Sequence, residues 1–224
     1  MVHQALQLRM RLFSYVVARD YGFAPNPFYS WCTLATCKPR IRGSAAVGDW
    51  VIGTGAKGKY RLVGRLIFGM LVEEASDFDA YWKDARFSAK KPVPNGSLKQ
   101  IYGDNIYHTE GGRWKQEDSH HSYKGGRPNS HNIARDTSVN RVLLSRRFVY
   151  FGAKAPEIPK QFRAYKPTGE EICCPGQGHR VLSSRLAGAF EAWLQRRGDW
   201  GLQGMPLEFT KHERMSASGG LRGR

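Results

Sequence analysis

The sequence predicts a single α+β domain built on a bent β-sheet with flanking helices. Hydrophobic residues make up 41% of the 224 residues and charged residues 24%, which is typical of a globular chain with a sizeable core. Segments rich in β-branched and aromatic residues recur along the chain, and two segments have the apolar spacing of helices. We expect residues 10–210 to form this domain, residues 1–9 to be an N-terminal extension, and residues 211–224 to be a disordered basic tail.

Four segments predict strands. Residues 11–18, RLFSYVVA, form the first, and residues 47–55, VGDWVIGTG, predict a turn that leads into a short buried strand. Residues 61–74 are apolar but contain two glycines, which disfavour a helix, so they predict a bent strand or a hairpin. Residues 141–151, RVLLSRRFVYF, return to strand character.

Two helices are predicted, near residues 78–87 and near residues 184–197. Each follows a Ser or Asp that can cap its first turn, and each has apolar side chains three and four positions apart. Between them, residues 88–136 are polar and nearly free of aliphatic runs. A stretch this long without regular elements is usually functional or disordered, and its aromatic and histidine content favours a functional insertion.

The charge of the chain indicates an anionic partner. The formal net charge is +16, and basic residues occur throughout the chain. We therefore expect DNA or a nucleotide as the partner, with binding to anionic lipid or a merely soluble surface as the alternatives. No apolar run is long enough to span a bilayer, and the first ten residues lack the features of a signal peptide. The expectation is a cytoplasmic protein without a membrane partner.

The cysteines do not indicate a disulfide scaffold. Cys32, Cys37, Cys173 and Cys174 are too few for one in a chain of this length, so reduced thiols are predicted. A zinc site would join Cys32 and Cys37 to one of the later cysteines or to His179, but this spacing is not that of a standard zinc knuckle. We predict no metal site, and the sequence leaves the cofactor unknown.

The polar region from residue 102 to residue 132 contains the strongest candidate site. Four of the seven histidines lie in or next to it, together with acids and amides that can orient a base or read the edge of a nucleobase. We predict catalytic roles for Asp104, Asp118, His120 and His121, and substrate-binding roles for Asn105, Tyr107, His108 and Asn132. The alternatives are a polar loop packed by its own side chains and a metal site.

The two adjacent histidines are expected to differ. On an extended chain His120 and His121 point to opposite faces, so only one can reach the pocket. We favour His120, because Asp118 lies two residues before it and would share its face.

Two earlier clusters could contribute to the same pocket. Hydroxyls and cations suit phosphate oxygens, and an arginine can contact a phosphate or a base edge. The alternatives are a local salt bridge that shapes a loop and a solvated basic turn that includes Arg40 and Arg42. The predicted substrate-binding residues here are Tyr15, Arg19, Asp20, Asn26, Thr33, Thr36 and Lys38, with Trp50 as a further ring that could stack on a flipped base.

Several enzyme classes lack their usual motifs. The sequence has no Gly-x-Gly-x-x-Gly after a strand, no phosphate-binding P-loop, no nucleophile elbow and no zinc-deaminase signature. Dehydrogenases, nucleoside triphosphatases, α/β-hydrolases and zinc deaminases are therefore not indicated.

Six motifs resemble one family. FSYVVARDYGFAPNPF, CTLATCKPRIR, VGDWVIGTG, YGDNIYH, DSHHS and RVLLSRRFVYFG, in this order, resemble the bacterial and phage family called nucleotide modification associated domain, type 2, over about residues 10–195. The resemblance implies a role in DNA-base modification, with DNA or a nucleotide and other components of a modification system as partners. It does not imply a particular reaction.

A second resemblance concerns the fold. The turn at Gly48 and Asp49, which leads into a strand, is similar to PUA and EVE domains, which bind RNA or modified DNA bases. This resemblance implies a partly closed, barrel-like sheet. Three functions remain open: a base-modifying enzyme or its accessory subunit, a non-enzymatic reader of modified bases, and a nuclease-like defence protein.

Overall fold

A computed structural model of the chain describes residues 10–58 and 60–209, and it confirms a mixed α+β fold with few helices in that part. The strands are β1 Leu12–Val17, β2 Cys32–Leu34, β3 Trp50–Gly55, β4 Leu66–Leu71, β5 Glu74–Ser76, β6 Tyr107–Glu110, β7 Arg113–Gln116, β8 Val142–Ser145, β9 Phe148–Tyr150, β10 Arg180–Leu182 and β11 Gly201–Leu202. The α-helices are α1 Pro39–Ser44, α2 Phe78–Lys83, α3 Leu98–Ile101, α4 Ser130–Thr137 and α5 Ser184–Arg197. The 3₁₀ helices are Ala85–Lys90, Gly152–Lys154 and Lys160–Phe162.

The main sheet is open, so the predicted barrel is wrong and the PUA/EVE-like resemblance is not confirmed. Its six strands lie in the order β10-β1-β3-β4-β9-β11, and the two edge strands do not pair with each other. β1 runs parallel to β3, and β9 parallel to β11, while the other neighbours are antiparallel. The predicted extension and basic tail, residues 1–9 and 211–224, lie outside the described residues.

The bend expected in residues 61–74 is present, and residues 141–151, which were expected to form one strand, also bend; both bends transfer the chain between the main sheet and a second sheet. Residues 61–74 leave the main sheet after β4 and enter the three-stranded sheet β2-β8-β5. Residues 141–151 do the reverse, because the chain turns between β8 and β9 at Arg146 and Arg147, whose amides donate to the Glu73 carboxylate. The apolar strands that a closed barrel would require are therefore divided between two packed sheets.

Side chains of the central strands alternate between two cores. Leu12, Trp50 and Ile52 face α5, whereas Phe13 and Val51 face the three-stranded sheet and α1. The Trp50 ring is fully buried and meets Phe190 of α5 edge-on, at 5.9 Å between centroids. The structure therefore places Trp50 in the core and not at a surface where a base could stack.

The two predicted helices are present. α5 begins after Ser183, whose side chain accepts from the Leu186 amide, and it ends at Gly198 with φ of 69°. α2 begins after Asp77 and is shorter than expected, because Asp84 caps a 3₁₀ helix that follows at once. No helix in the described ranges has both the length and the hydropathy needed to cross a membrane.

The polar stretch at residues 88–136 is more ordered than the sequence predicts. It contains α3, the hairpin β6–β7 and α4. The hairpin turn uses Gly111 and Gly112, both at positive φ, and Tyr107 packs in a third core with Phe78 and Val142. The absence of aliphatic runs misled the prediction, since aromatic side chains supply much of this core.

Candidate active site

A cavity of about 240 Å³ opens at the carboxyl end of β1. Its walls are residues 15–24, Cys37 and Lys38 after β2, and a turn that carries His120 and His121. Open sheets with parallel neighbours commonly place ligands at the carboxyl ends of their strands. Because this volume is below the roughly 300–1,000 Å³ of pockets for drug-sized ligands, it suits a compact group such as one heterocyclic ring.

Three residues from distant segments meet at the cavity wall. The Cys37 Sγ lies 3.6 Å from His121 Nε2, and His121 Nδ1 lies 2.8 Å from Asp136 Oδ2. Cys37 is partly exposed, while Asp136 of α4 is fully buried. A thiol, an imidazole and a carboxylate joined in this order have the connectivity of a nucleophile, a base and an orienting acid.

Each member of this Cys37–His121–Asp136 triad is held by further hydrogen bonds. The His121 carbonyl accepts from Asn132 Nδ2 at 2.9 Å and from Gln116 Nε2 at 3.2 Å. The Asp136 carboxylate also accepts from the Tyr107 hydroxyl at 3.0 Å and from the Cys37 amide at 3.1 Å. The hairpin and α4 thereby fix the imidazole against the thiol.

A buried arginine supports the Cys37 backbone. The Arg42 Nε donates to the Cys37 carbonyl at 2.9 Å, and Nη1 donates to the Val139 carbonyl at 2.8 Å. Arg42 is fully buried, so it does not present its charge to a phosphate. In the same basic cluster Arg40 is exposed, and the Lys38 ammonium lies 4.4 Å from the Tyr15 ring centroid at the cavity.

The electrostatics of the triad favour a protonated histidine. Burial lowers the pKa of His121, but the hydrogen bonds to Asp136 and Cys37 outweigh it and raise the pKa to about 9. Burial raises the pKa of Asp136, yet the charge and hydrogen bond of His121 bring it below its usual value. His121 is therefore an imidazolium, and Asp136 a carboxylate, at neutral pH.

This shift predicts a pH dependence of stability. Since the folded pKa of His121 lies above its ordinary value of 6.5, the stabilisation is complete below pH 6.5 and is lost as the pH rises through about 9. The free energy of unfolding, measured by chemical denaturation, should fall over this range by at most about 3 kcal/mol more than in His121→Gln. Replacing the exposed His131 by Gln is the control. Equal pH slopes in the wild type and His121→Gln would contradict the ion pair.

His120 forms part of an aromatic wall. Its ring lies 4.6 Å from Tyr21, 5.2 Å from Phe23 and 5.1 Å from Tyr102, measured between centroids. Although the residue is exposed overall, burial of the ring, with the charges of His121 and Arg19, lowers its pKa to about 4. Because the backbone here is a turn and not extended, both histidines line the cavity, contrary to the expectation that only one would.

Of the other predicted site residues, four lie at the cavity: Tyr15, Arg19, Asp20 and Lys38. The Tyr15 hydroxyl donates to the Ala24 carbonyl at 3.0 Å, and the buried Asp20 accepts from the Tyr150 hydroxyl and from the Leu207 amide. These two side chains shape the loop after β1. Arg19 is exposed at the rim.

Four predicted residues lie in a buried network away from this cavity. Asp104 accepts from the Thr33 hydroxyl at 2.7 Å and from the Tyr81 hydroxyl at 2.9 Å, and Asn105 Nδ2 donates to the Tyr81 carbonyl at 3.0 Å. The buried Lys90 ammonium donates to Asn26 Oδ1 at 2.7 Å. The structure does not bring Asn26, Thr33, Asp104 or Asn105 to the cavity wall.

The remaining predicted residues surround the triad or lie farther off. Tyr107 and Asn132 contact Asp136 and His121 as described, and Thr36 is buried next to Cys37. His108 stacks on Trp82, and its Nε2 lies 2.8 Å from Glu117. Asp118 is exposed and accepts from the Ser122 hydroxyl, so the acid that contacts a cavity histidine is Asp136.

Sequence reasoning missed Cys37, Asp136 and Gln116 as site residues. From the sequence, Cys37 is expected to be only a reduced thiol or a zinc ligand. A cysteine beside a basic turn, with histidines elsewhere in the sequence, was the signal that could have indicated a nucleophile. A nucleophile and its base need to be adjacent only in the fold and not in the sequence. Asp136 carried no local signal, because only the folding of α4 against the hairpin brings it to His121.

The same three side chains could also bind a metal ion, because their donor atoms all lie within 4.8 Å of one another. The hydrogen bonds argue against this use. Asp136 Oδ2 accepts hydrogen bonds from His121 and Tyr107, and Oδ1 accepts them from the Cys37 amide and Arg135. These four bonds fill the acceptor capacity of the carboxylate. Only the thiol and one imidazole nitrogen remain, whereas zinc sites use three or four protein ligands.

Comparison with known protein families gives a match over most of the chain. The family model described as Nucleotide modification associated domain 2 matches residues 9–213, which confirms the resemblance of the six sequence motifs. No curated protein and no solved structure matches the chain.

Proposed function

Because the chain belongs to the nucleotide modification associated domain 2 family, we propose that it is an enzyme that uses Cys37 as a nucleophile on a nucleotide base. Family membership links the chain to nucleic-acid base modification. The observation that carries the proposed reaction is the line of contacts from the Cys37 thiol through His121 to the buried Asp136.

The proposed chemistry is addition of the thiol to an unsaturated ring carbon. Cys37 Sγ forms a bond to the electrophilic carbon of the base, and the π electrons move to the adjacent ring atom. His121, protonated at neutral pH, delivers its proton to that atom and then takes up the thiol proton, so the elements of the thiol add across one double bond and the imidazolium is restored. Asp136 holds the ring in the orientation that this transfer requires and stabilises its protonated form.

The cavity suits one base with a phosphate nearby. Tyr21, Phe23 and His120 form an aromatic wall against which a planar ring can stack. Arg19 and Lys38 provide cations at the cavity. We therefore propose a nucleotide, free or within DNA, as the substrate, and other components of a base-modification system as partners that act before or after this step.

The reactivity of Cys37 tests the proposal without knowledge of the substrate. Iodoacetamide should alkylate Cys37 faster than Cys32, Cys173 and Cys174, because Cys37 is partly exposed beside the His121 ring and the other three cysteines are buried. Peptide mass spectrometry after timed alkylation gives the four rates. In His121→Gln the rate at Cys37 should fall at least tenfold, while the rate at Cys174 stays the same.

Other outcomes separate the rival functions. Similar rates at Cys37 and Cys174 in the wild type would remove the nucleophile. Stoichiometric zinc in the purified protein, lost in Cys37→Ala and accompanied by protection from alkylation, would replace the triad by a metal centre. Cleavage of plasmid DNA by the wild type that persists in Cys37→Ala would indicate a nuclease that does not use this site.

A non-enzymatic reader is the second candidate, and the aromatic wall favours it. Tyr21 stacks on Tyr102 at 4.9 Å between ring centroids, which holds the Tyr21 ring in place beside the cavity. A reader would bind a modified nucleoside equally well in the wild type and in Cys37→Ser, and would never form a covalent adduct. An adduct of nucleotide mass on Cys37 would decide for the enzyme.

A further inference from the structure

A second, larger cavity lies on the other side of the main sheet. A groove of about 710 Å³ runs between α5 and the segment 160–167. Phe162 in its wall belongs to the core that packs against α5, whereas Cys37 follows β2, whose side chains belong to the core on the opposite face. The groove is therefore separate from the Cys37 cavity.

The charged side chains that line the groove are all positive. Lys160, Lys166 and Arg196 line it, and no Asp or Glu is among its lining residues. All three cations are exposed, and none forms an ion pair with another residue of the described part of the chain. Three uncompensated cations around one concave surface attract a polyanion.

The shape of the groove is preformed. Tyr165 is half-buried beside Phe162, and its backbone is held by a pair of contacts, from the Tyr165 amide to the Glu170 carbonyl at 2.8 Å and from the Gly169 amide to the Tyr165 carbonyl at 2.7 Å. On the facing wall α5 presents Ala189 and Ala192, which leave the groove open. An aromatic ring between cations is the arrangement on which single-stranded nucleic acid stacks its bases.

From this arrangement we propose that the groove between α5 and residues 160–167 binds a single-stranded segment of nucleic acid, with phosphates at Lys160, Lys166 and Arg196 and a base against Tyr165. A membrane surface fits less well, because none of the large exposed hydrophobic residues lines the groove. An acidic peptide would use the cations but not the ring. The proposal is independent of the reaction at Cys37.

Fluorescence anisotropy with a short single-stranded DNA tests this site. Lys160→Glu/Lys166→Glu/Arg196→Glu should weaken binding at least tenfold and reduce the slope of log K against log salt by about 2, since each lost phosphate contact on a single strand contributes about 0.7. The control, Lys83→Glu/Arg113→Glu/Lys124→Glu, changes the net charge equally at exposed positions outside the groove. It should keep most of the affinity.

Further variants and further ligands in the binding experiment distinguish between the possible occupants of the groove. Tyr165→Leu, which leaves the charges unchanged, should also weaken DNA binding severalfold while the melting temperature is retained. Equal losses in both triple variants would overturn the proposal, because net charge alone would then explain binding. Loss of binding to phosphatidylserine vesicles or to poly-glutamate, with DNA binding unchanged, would overturn it in favour of a lipid or an acidic peptide. Alkylation of Cys37 should be normal in the groove variant, so failure here does not affect the proposed function.

Discussion

Replacing Cys37 by alanine is expected to abolish turnover of nucleotides while the protein stays folded. The thiol is partly exposed at the cavity and its side-chain contact is with His121, so its removal should cost little stability. Loss of a nucleophile typically lowers kcat by about 10⁴-fold or more. The measurement is mass spectrometry of nucleosides after incubating each variant with the four deoxynucleotides and with DNA, next to a thermal melt.

The other triad members should show a graded loss. His121→Gln removes the proton carrier and should lower turnover nearly as much as Cys37→Ala, whereas Asp136→Asn keeps the shape but not the charge and should lower it less. Because the three residues act as a unit, Cys37→Ala/His121→Gln should be no worse than Cys37→Ala. Cys174→Ala is the matched control and should keep full turnover. Full turnover in Cys37→Ala would refute covalent catalysis by this residue.

The sequence predicted the elements that have strong local patterns. β1, β3 and α5 were found because β-branched runs and a helical apolar spacing, bounded by Gly48 and Ser183, are local properties. The open edge of the sheet could not be predicted this way. The turns that move the chain between the two sheets are held by contacts between segments distant in sequence, such as those of the Arg146 and Arg147 amides with Glu73.

Only part of the candidate site could be predicted, because its residues are brought together by contacts between distant segments. The sequence pointed to the histidines but chose Asp118 as their acid, since proximity along the chain was the only available guide. Asp136 and His121 are 15 positions apart in the sequence, and Cys37 and His121 are 84 positions apart. Such triads follow from tertiary packing, so residue types alone could not select Cys37 over the other three cysteines.

Asp104 illustrates a different case, in which a scarce acidic residue suggested catalysis and the structure buries its side chain. Burial raises its pKa to about 6, against the opposing effects of Lys90 and of the two hydroxyl donors. Burial lowers the pKa of Lys90 to about 8, while the Asp104 charge opposes that shift. Both groups are fully buried, and each lessens the cost of keeping the other ionised. We propose that this pair holds the segment after α2 against residues 26–33 and takes no part in the reaction.

Replacing Lys90 by methionine is therefore expected to cause a large loss of stability. The variant leaves the Asp104 charge uncompensated and removes three donated hydrogen bonds, to the Asn26 carbonyl, to Asn26 Oδ1 and to the Trp31 carbonyl. The loss of the donor to three buried acceptors, together with the loss of a nearby cation for Asp104, costs about 3–5 kcal/mol, which lowers the melting temperature of a chain of this size by about 6–20 °C. Lys83→Met, an exposed control on α2, should change stability by less than about 0.5 kcal/mol.

The double variant Lys90→Met/Asp104→Asn should lose less stability than the sum of the losses in the two single variants, because neither charge is then left alone. Additive losses would contradict the coupling, and an Asp104→Asn variant with normal stability but no turnover would return Asp104 to the catalytic role that the sequence predicts.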